Sequence, residues 1–447
     1  MRRNQNKSGR KNEQGIVIML VAVVMLFVVG AMAALSIDVV TLYTARSEAQ
    51  LAADGAALAG ARVLANSGMT SDPDPALVSK AETLARTIAT QVAESNTVGG
   101  KNLSSTGACG PGLEISVCFN NNSPTDPQVT VQVQRTDLPT FFARIWGRTQ
   151  IKVSASATAE AYNPSNATGA STTSAPPVAP ICVKPWLLPN IDPTQALATG
   201  SQIFDSTGAI ENADLVGKGW PNAPVTNPNP IGLSAVCGDC SPGGSGILAP
   251  SPGQYYPGAI DADDFPVPTQ ALPTCSAVFN SYQIAVAGCV QRPISCGATA
   301  TINIDVNPYA TNRDADTVLA ASCLIHDNGA AGDADSIVGA PSPIPPFKFL
   351  AGNRNPIANA VTKDVLVSDS LVTIPVIDTT TGVAPGTTVT VIGFLQVFLN
   401  PTGTTMASTT QIPVTIINMA GCGTGATGTP ILGNGASPVA VRLISPP

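Results

Sequence analysis

Twenty-two residues from Ile16 to Ile37, IVIMLVAVVMLFVVGAMAALSI, carry no charged side chain and only Gly30 and Ser36 outside the apolar set. As a helix rising 1.5 Å per residue the run is about 33 Å long, enough to cross a hydrocarbon layer of about 30 Å. Backbone groups in lipid find no water to bond, so a segment that crosses alone must be helical. Arg2, Arg3, Lys7, Arg10 and Lys11 precede the run against Glu13 alone. Basic residues on one flank orient a span with that flank in the cytoplasm. The expectation is a basic cytoplasmic tail at 1–14, a transmembrane helix at 15–37, and an extracytoplasmic body from Asp38 onward. A second reading stays open, because Ala31-Met32-Ala33 has the form of a signal-cleavage site. Against it, the apolar run exceeds an ordinary signal core and continues through Leu35 and Ile37.

The remainder of the chain is punctuated by 40 Gly and 39 Pro with only 4% aromatic residues, which favours short strands and irregular connections over helical bundles. Charged residues make up 11% and hydrophobic ones 44%, a balance unlike that of a wholly disordered chain. The net charge is −7, and no Lys/Arg cluster occurs beyond the N-terminal tail. Nucleic acid is therefore excluded as a partner.

After the apolar run, Leu35, Val39, Leu42, Ala49, Ala53, Ala56, Gly60 and Val63 recur at three- and four-residue steps, with Arg46 as an interruption. This predicts one helix continuing to about Leu64, with a small-residue stripe that lets a neighbour approach closely. Asn66-Ser67-Gly68 and Asp72-Pro73-Asp74-Pro75 break it. Leu77, Ala81, Leu84, Ile88 and Val92 then mark a second amphipathic helix. Alternating patterns at 113–119, 128–134 and 151–159 predict strands, with a short helical turn over 139–146. The Ser/Thr/Pro-rich stretch at 163–180 reads as a linker. From 181 to 447, β-like runs at 301–306, 366–376, 387–398, 411–417 and 438–444 predict a β-rich domain.

The order of residues in and after the apolar run is distinctive. Gln14-Gly15 closes the basic tail, Asp38-Val39 closes the run, and Leu42-Tyr43, Arg46, Gln50 and the tract Ala52-Ala53-Asp54-Gly55-Ala56-Ala57-Leu58-Ala59-Gly60-Ala61 follow. Further on stand Thr140-Phe141-Phe142-Ala143-Arg144 and Val153-Ser154-Ala155-Ser156-Ala157. Over residues 10–162 this pattern resembles TadE/TadG-like proteins of Flp-type (tight adherence) pilus assembly, with Gly15, Asp38, Tyr43, Arg46, Gln50, Asp54 and Gly60 as its motif residues. The resemblance implies an α+β fold. Its N-terminal transmembrane helix would extend into a pilin-like stem of helix and antiparallel sheet at 38–162, followed by a β-rich distal domain. It also implies a non-enzymatic structural or accessory component of the bacterial inner membrane that acts by contacts with pilus-assembly or envelope proteins. The alternative is a tethered or secreted adhesin whose distal domain binds a ligand. Glu13-Gln14-Gly15 is similar to a prepilin leader, but Leu20 stands where such pilins carry Glu. The distal region resembles the β-rich tails of some TadG-related proteins at 183–190 and 393–399. Asp205-Ser206-Thr207-Gly208 departs from the metal motif of a von Willebrand A domain.

Ten cysteines in an extracytoplasmic body predict a disulfide framework. Cys109 and Cys118 have the spacing of a local bridge. Cys237 and Cys240 form a C-x-x-C with neither a βαβ context nor a second ligand pair for zinc. His326 is the lone histidine and no G-x-S-x-G elbow accompanies it. Gly423 to Gly428 match G-x-G-x-x-G, but Pro430 follows where a helix would have to open. The aspartates at 261–264 and 314–335 fit no calcium loop. No residue is assigned to catalysis, to a cofactor or to a metal.

Overall fold

The computed structural model describes residues 10–104, 106–120, 126–166, 176–192, 201–218, 231–235, 254–258, 279–296, 301–303, 313–340, 343–357, 359–379, 388–401, 412–422, 429–433 and 436–444. Helix α1 runs from Arg10 to Asn66 over 57 residues, uninterrupted because its sequence contains no proline. From Gly15 to Ala33 every side chain is exposed. This is the one helix among the described residues long and apolar enough to cross a membrane. Ser67 Oγ donates to Leu64 O at 2.7 Å, and Gly68 turns the chain at φ +85°. A Cβ at Gly68 would lie 2.4 Å from Val216 Cγ1, so the turn requires glycine on both conformational and steric grounds. Helix α2, Pro75–Glu94, opens on Asp74, whose Oδ1 accepts the amides of Ala76 at 2.8 Å and Leu77 at 3.2 Å. Proline at the first helical position loses no internal hydrogen bond there.

Strands β1 (Thr97–Val98) and β2 (Lys101–Asn102) pair across Gly99-Gly100, both left-handed at φ 58° and 77°, as a two-residue hairpin turn demands. They are followed by β3 (Thr106–Ala108), β4 (Ile115–Asn120), β5 (Gln128–Pro139) and β6 (Gln150–Tyr162). Next come β7 (Val178–Pro180), β8 (Trp186–Pro189), β9 (Ile231–Ala235), β10 (Gln254–Pro257) and α3 (Ser281–Ala287). The chain continues through β11 (Thr301–Asn303), α4 (Arg313–Leu324), β12 (Ser336–Ile337), β13 (Phe349–Leu350) and β14 (Leu371–Ile377). It closes with β15 (Thr388–Leu399), β16 (Ile412–Gly421), β17 (Ile431–Gly433) and β18 (Ala440–Ile444). The fold is thus α+β, with a long apolar N-terminal helix and strands gathered in several sheets.

Two compact units interleave along the sequence, one of residues 1–56, 90–117 and 131–157, the other of 57–89, 118–130 and 158–447. A five-stranded sheet has the order β18-β6-β5-β4-β3. Its β3 and β4 run parallel, a departure from the all-antiparallel stem that the resemblance implies. In the first unit Ala45, Ala49, Ala52, Ala53 and Ala56 of α1 are fully buried, as are Val98, Ile115, Val117, Val131 and Val133. Gly99 N donates to Glu48 Oε2 at 2.6 Å. Arg135 donates to the carbonyl oxygens of Val98 and Gly99 and to Asp137 Oδ1, the last at 2.9 Å.

The second unit is built around seven strands in the order β11-β15-β14-β8-β10-β9-β16, with an added β15–β16 pairing that closes six of them into a ring. Closure removes the free edges that an open sheet presents. Every residue of β8 and β14 is buried, and Trp186, Phe204, Tyr255 and Phe398 fill the core. Disulfides join Cys182 to Cys289 and Cys296 to Cys422. Of the expected linker, Pro164–Asn166 forms a 3-10 turn and β7 pairs in parallel with β17, while 167–175 lie outside the described residues.

Candidate functional site

Asp38, the first residue past the apolar run, is only 5% exposed. Its carboxylate accepts three backbone amides: Phe141 on Oδ1 at 2.9 Å, and Phe142 and Ala143 on Oδ2 at 3.1 and 2.7 Å. These amides open the 3-10 helix Ala143–Trp146, where Phe142 makes no side-chain cap. Helix-opening N–H groups lack internal acceptors and favour a negative charge, so Asp38 caps this turn from another element. Burial pushes the Asp38 carboxyl upward, but the three amides outweigh it and hold its pKa below the ordinary value. The loop is closed by Thr140 N on Thr149 O at 3.4 Å, Gly147 N on Arg144 O at 3.0 Å and Arg148 N on Ala143 O at 3.1 Å.

The covered face of α1 at this level corrects the stripe expected from periodicity. Ala34, Asp38, Ala45 and Ala49 are buried, whereas Leu35 is 54% and Val39 40% exposed and Leu42 is half-buried. The helix is turned so that a hydrogen-bonding carboxylate and small alanines face inward, while the larger apolar side chains of Leu35 and Val39 stay exposed. From Ala49 to Val63 the expected stripe coincides with the buried face. A similar substitution occurs in α2, where Ala81, Ala85, Ala89 and Ala93 are buried and Leu84, Ile88 and Val92 only half-buried.

The remaining motif residues divide by face. Gln50 Nε2 donates to Asp54 Oδ1 at 2.7 Å, one helical turn on, and to Ser156 O at 3.4 Å. Gly60 is buried, and a Cβ there would lie 3.1 Å from Val129 Cγ1 and 3.4 Å from Ala89 Cβ, so its lack of a side chain sets how closely these residues approach. Gly15, Tyr43 and Arg46 lie exposed on the helix surface, with nothing within 4 Å of a Cβ at Gly15. The structure therefore joins Asp38 to the Thr140–Arg144 segment, and Gln50 to the 153–157 strand, out of motifs far apart in sequence.

Sequence reasoning missed a buried amide cluster at the end of α1. Asn418 Nδ2 donates to Ala65 O at 2.7 Å and to Thr70 Oγ1 at 2.8 Å. Asn163 Nδ2 reaches Thr70 O at 3.1 Å and Met419 O at 2.8 Å, and Gln396 Nε2 reaches Asn66 Oδ1 at 2.9 Å. Gln396 Oε1 is buried without a partner among the described residues, while the donated bonds of Asn418, Asn163 and Gln396 hold this arrangement against alternatives. Their only sequence signal is polar residues inside apolar strands, such as Gln396 and Asn418. Lys184 was missed too: its buried Nζ donates to Val286 O and Gly288 O at 2.7 Å each, closing the end of α3, and burial pushes its pKa down to about 7.

Cys109 and Cys118 are disulfide-bonded, while Cys237 and Cys240 lie outside the described residues, as do the 261–264 aspartates and the 423–428 glycine motif. His326 Nε2 lies 3.1 Å from Asp369 Oδ2, not paired with its neighbour Asp327. Among the described residues no group of three or more His, Cys, Asp or Glu is placed to hold a metal.

Residues 15–63 match the family model described as "Putative Flp pilus-assembly TadE/G-like". The chain has no match among curated proteins or solved structures. The match spans the apolar run, Asp38 and the small-residue face at Gly60, and over these residues the N-terminal segment is similar to the TadE/G-like family.

Proposed function

We propose that this protein is a membrane-anchored structural or accessory component of Flp-type pilus assembly that acts by protein–protein contacts. In this reading α1 crosses the cytoplasmic membrane once, the basic tail lies in the cytoplasm, and the body from Asp38 onward stands outside. One observation carries the proposal: the TadE/G-like segment at 15–63 contains the exposed apolar span and the small-residue helix face in one continuous helix. The charge asymmetry about the span supports the orientation. Disulfides at Cys182–Cys289 and Cys296–Cys422 suit an oxidising compartment. Deletion of the gene tests it. The expected outcome is lost piliation or surface attachment with general secretion intact, restored by the native gene; normal pili and attachment in the deletion strain would contradict it.

A further inference from the structure

The Asp38 cap fixes where the loop over 140–152 sits along α1. Asp38 follows the last apolar residue of the run directly, and its carboxylate holds the amides of Phe141, Phe142 and Ala143. In a chain anchored by 16–37, the loop is thereby held at the level where hydrocarbon gives way to lipid headgroups. Its composition differs from that of the body. Residues 140–152, TFFARIWGRTQIK, carry Arg144, Arg148 and Lys152 and no acid, within a chain of net charge −7. All three cations are exposed, and among the described residues none takes part in an ion pair. The nearby Asp38 carboxylate is turned inward onto three donors and does not neutralise them.

Apolar surface accompanies this charge. Phe141 is 63% exposed in the loop, and on the other face of α1, roughly 140–200° round the helix from Asp38, Val40 and Tyr43 are 63% and 72% exposed. The Tyr43 backbone lies about 7.5 Å beyond Asp38 along the helix axis, at the outer edge of a headgroup layer roughly 5–7.5 Å thick on each face, and its side chain tilts back toward the helix N-terminus. Aromatic rings with polar tips concentrate at that depth, and Lys and Arg there are drawn to anionic headgroups. We infer that the 140–152 loop, with Val40 and Tyr43, is a membrane-surface contact that binds the headgroups of anionic phospholipids. Phe141 enters the interface, while Arg144, Arg148 and Lys152 pair with phosphate. The contact would fix the tilt and rotation of α1 where it leaves the bilayer, which a bare helix of this length does not do.

The inference rests on membrane anchoring by 16–37, and its test separates the two. Full-length protein is reconstituted into nanodiscs of phosphatidylcholine alone or with phosphatidylglycerol, and amide hydrogen exchange is read over 144–152. The expected result is several-fold slower exchange in the phosphatidylglycerol discs. The triple variant Arg144→Glu, Arg148→Glu, Lys152→Glu should abolish that difference while exchange over 49–63 of α1 stays unchanged. Equal exchange in both discs, with the native protein retained in them, would overturn the headgroup contact and leave the anchor standing. A difference that persists in the triple variant would also overturn it. Protein that elutes apart from the discs would contradict the anchor itself, and the contact with it.

Discussion

Asp126 shows how much a single side chain can depend on partners remote in sequence. It lies near Glu160, whose carboxylate is bonded by Arg442, and Arg442 in turn stands over the Tyr162 ring at 5.8 Å. One Asp126 carboxylate oxygen is buried without a hydrogen-bond partner. Burial first, and the Glu160 charge second, push its pKa up to about 7 against an opposing pull from Arg442. An unfolded Asp releases its proton near pH 4, so between about pH 4 and 7 the folded chain binds the extra proton and stability falls as pH rises. Asp126→Asn should flatten that fall and raise the melting temperature above pH 7; a variant melting lower than native at pH 8 would contradict this. Asp137 acts oppositely, since hydrogen bonds from Arg135 and Lys101 lower it to about 2. Its contribution is present above about pH 4 and is lost as pH falls toward 2. The sequence marked Asp38 as a motif residue because neighbours in the chain surround it with a pattern. No local pattern surrounds Asp126, whose environment is set by residues up to the C-terminal strand.

At the scale of elements, α1 was legible in its length and poorly legible in its facing. Uninterrupted apolar and alanine-rich sequence gives a helix to Asn66, two residues past the expected end. Its covered face at the end of the apolar run follows Asp38 and small alanines, because hydrogen bonds and close approach there outweigh the burial of Leu35 or Val39. Further along, Gly60 makes the contact with Val129 and Ala89 possible. Gly60→Leu should destabilise the fold by about 1–3 kcal/mol through overpacking. Gly60→Ala should be near neutral, since about 1 kcal/mol of helix propensity offsets a tight Cβ contact. Denaturant unfolding of both variants checks the order, and equal stability of Gly60→Leu and native protein would contradict the close approach. Strand runs of β14, β15 and β16 could be read from alternation and apolar density. The ring they help close could not, because β8, β9 and β10 are short and their pairing is parallel in places and distant in sequence. Strand β18 likewise pairs with β6, putting Ala440 opposite Tyr162, a partnership between chain positions that no local periodicity links.

For the molecule as a whole, an apolar helix near the N-terminus and a cross-linked β-rich body answer different physical demands. Residues 16–33 expose apolar side chains with nothing among the described residues to cover them, a surface far beyond what a soluble monomer carries. The body closes a strand ring and adds disulfides across 107 and 126 residues. Loops of that length correspond to roughly 4–5 kcal/mol of stabilisation each where chain entropy governs the bridge. A helix long and apolar enough to cross a membrane was legible because a long uncharged run has few alternative fates. The proposed assembly role rests on the shorter TadE/G-like string at 15–63. The anchor is the claim on which the rest depends, and alkaline carbonate extraction of membranes from cells expressing the full-length chain tests it directly. The account expects the protein in the membrane pellet at full mass; its recovery in the soluble fraction, or as a chain beginning at Ala34, would contradict it.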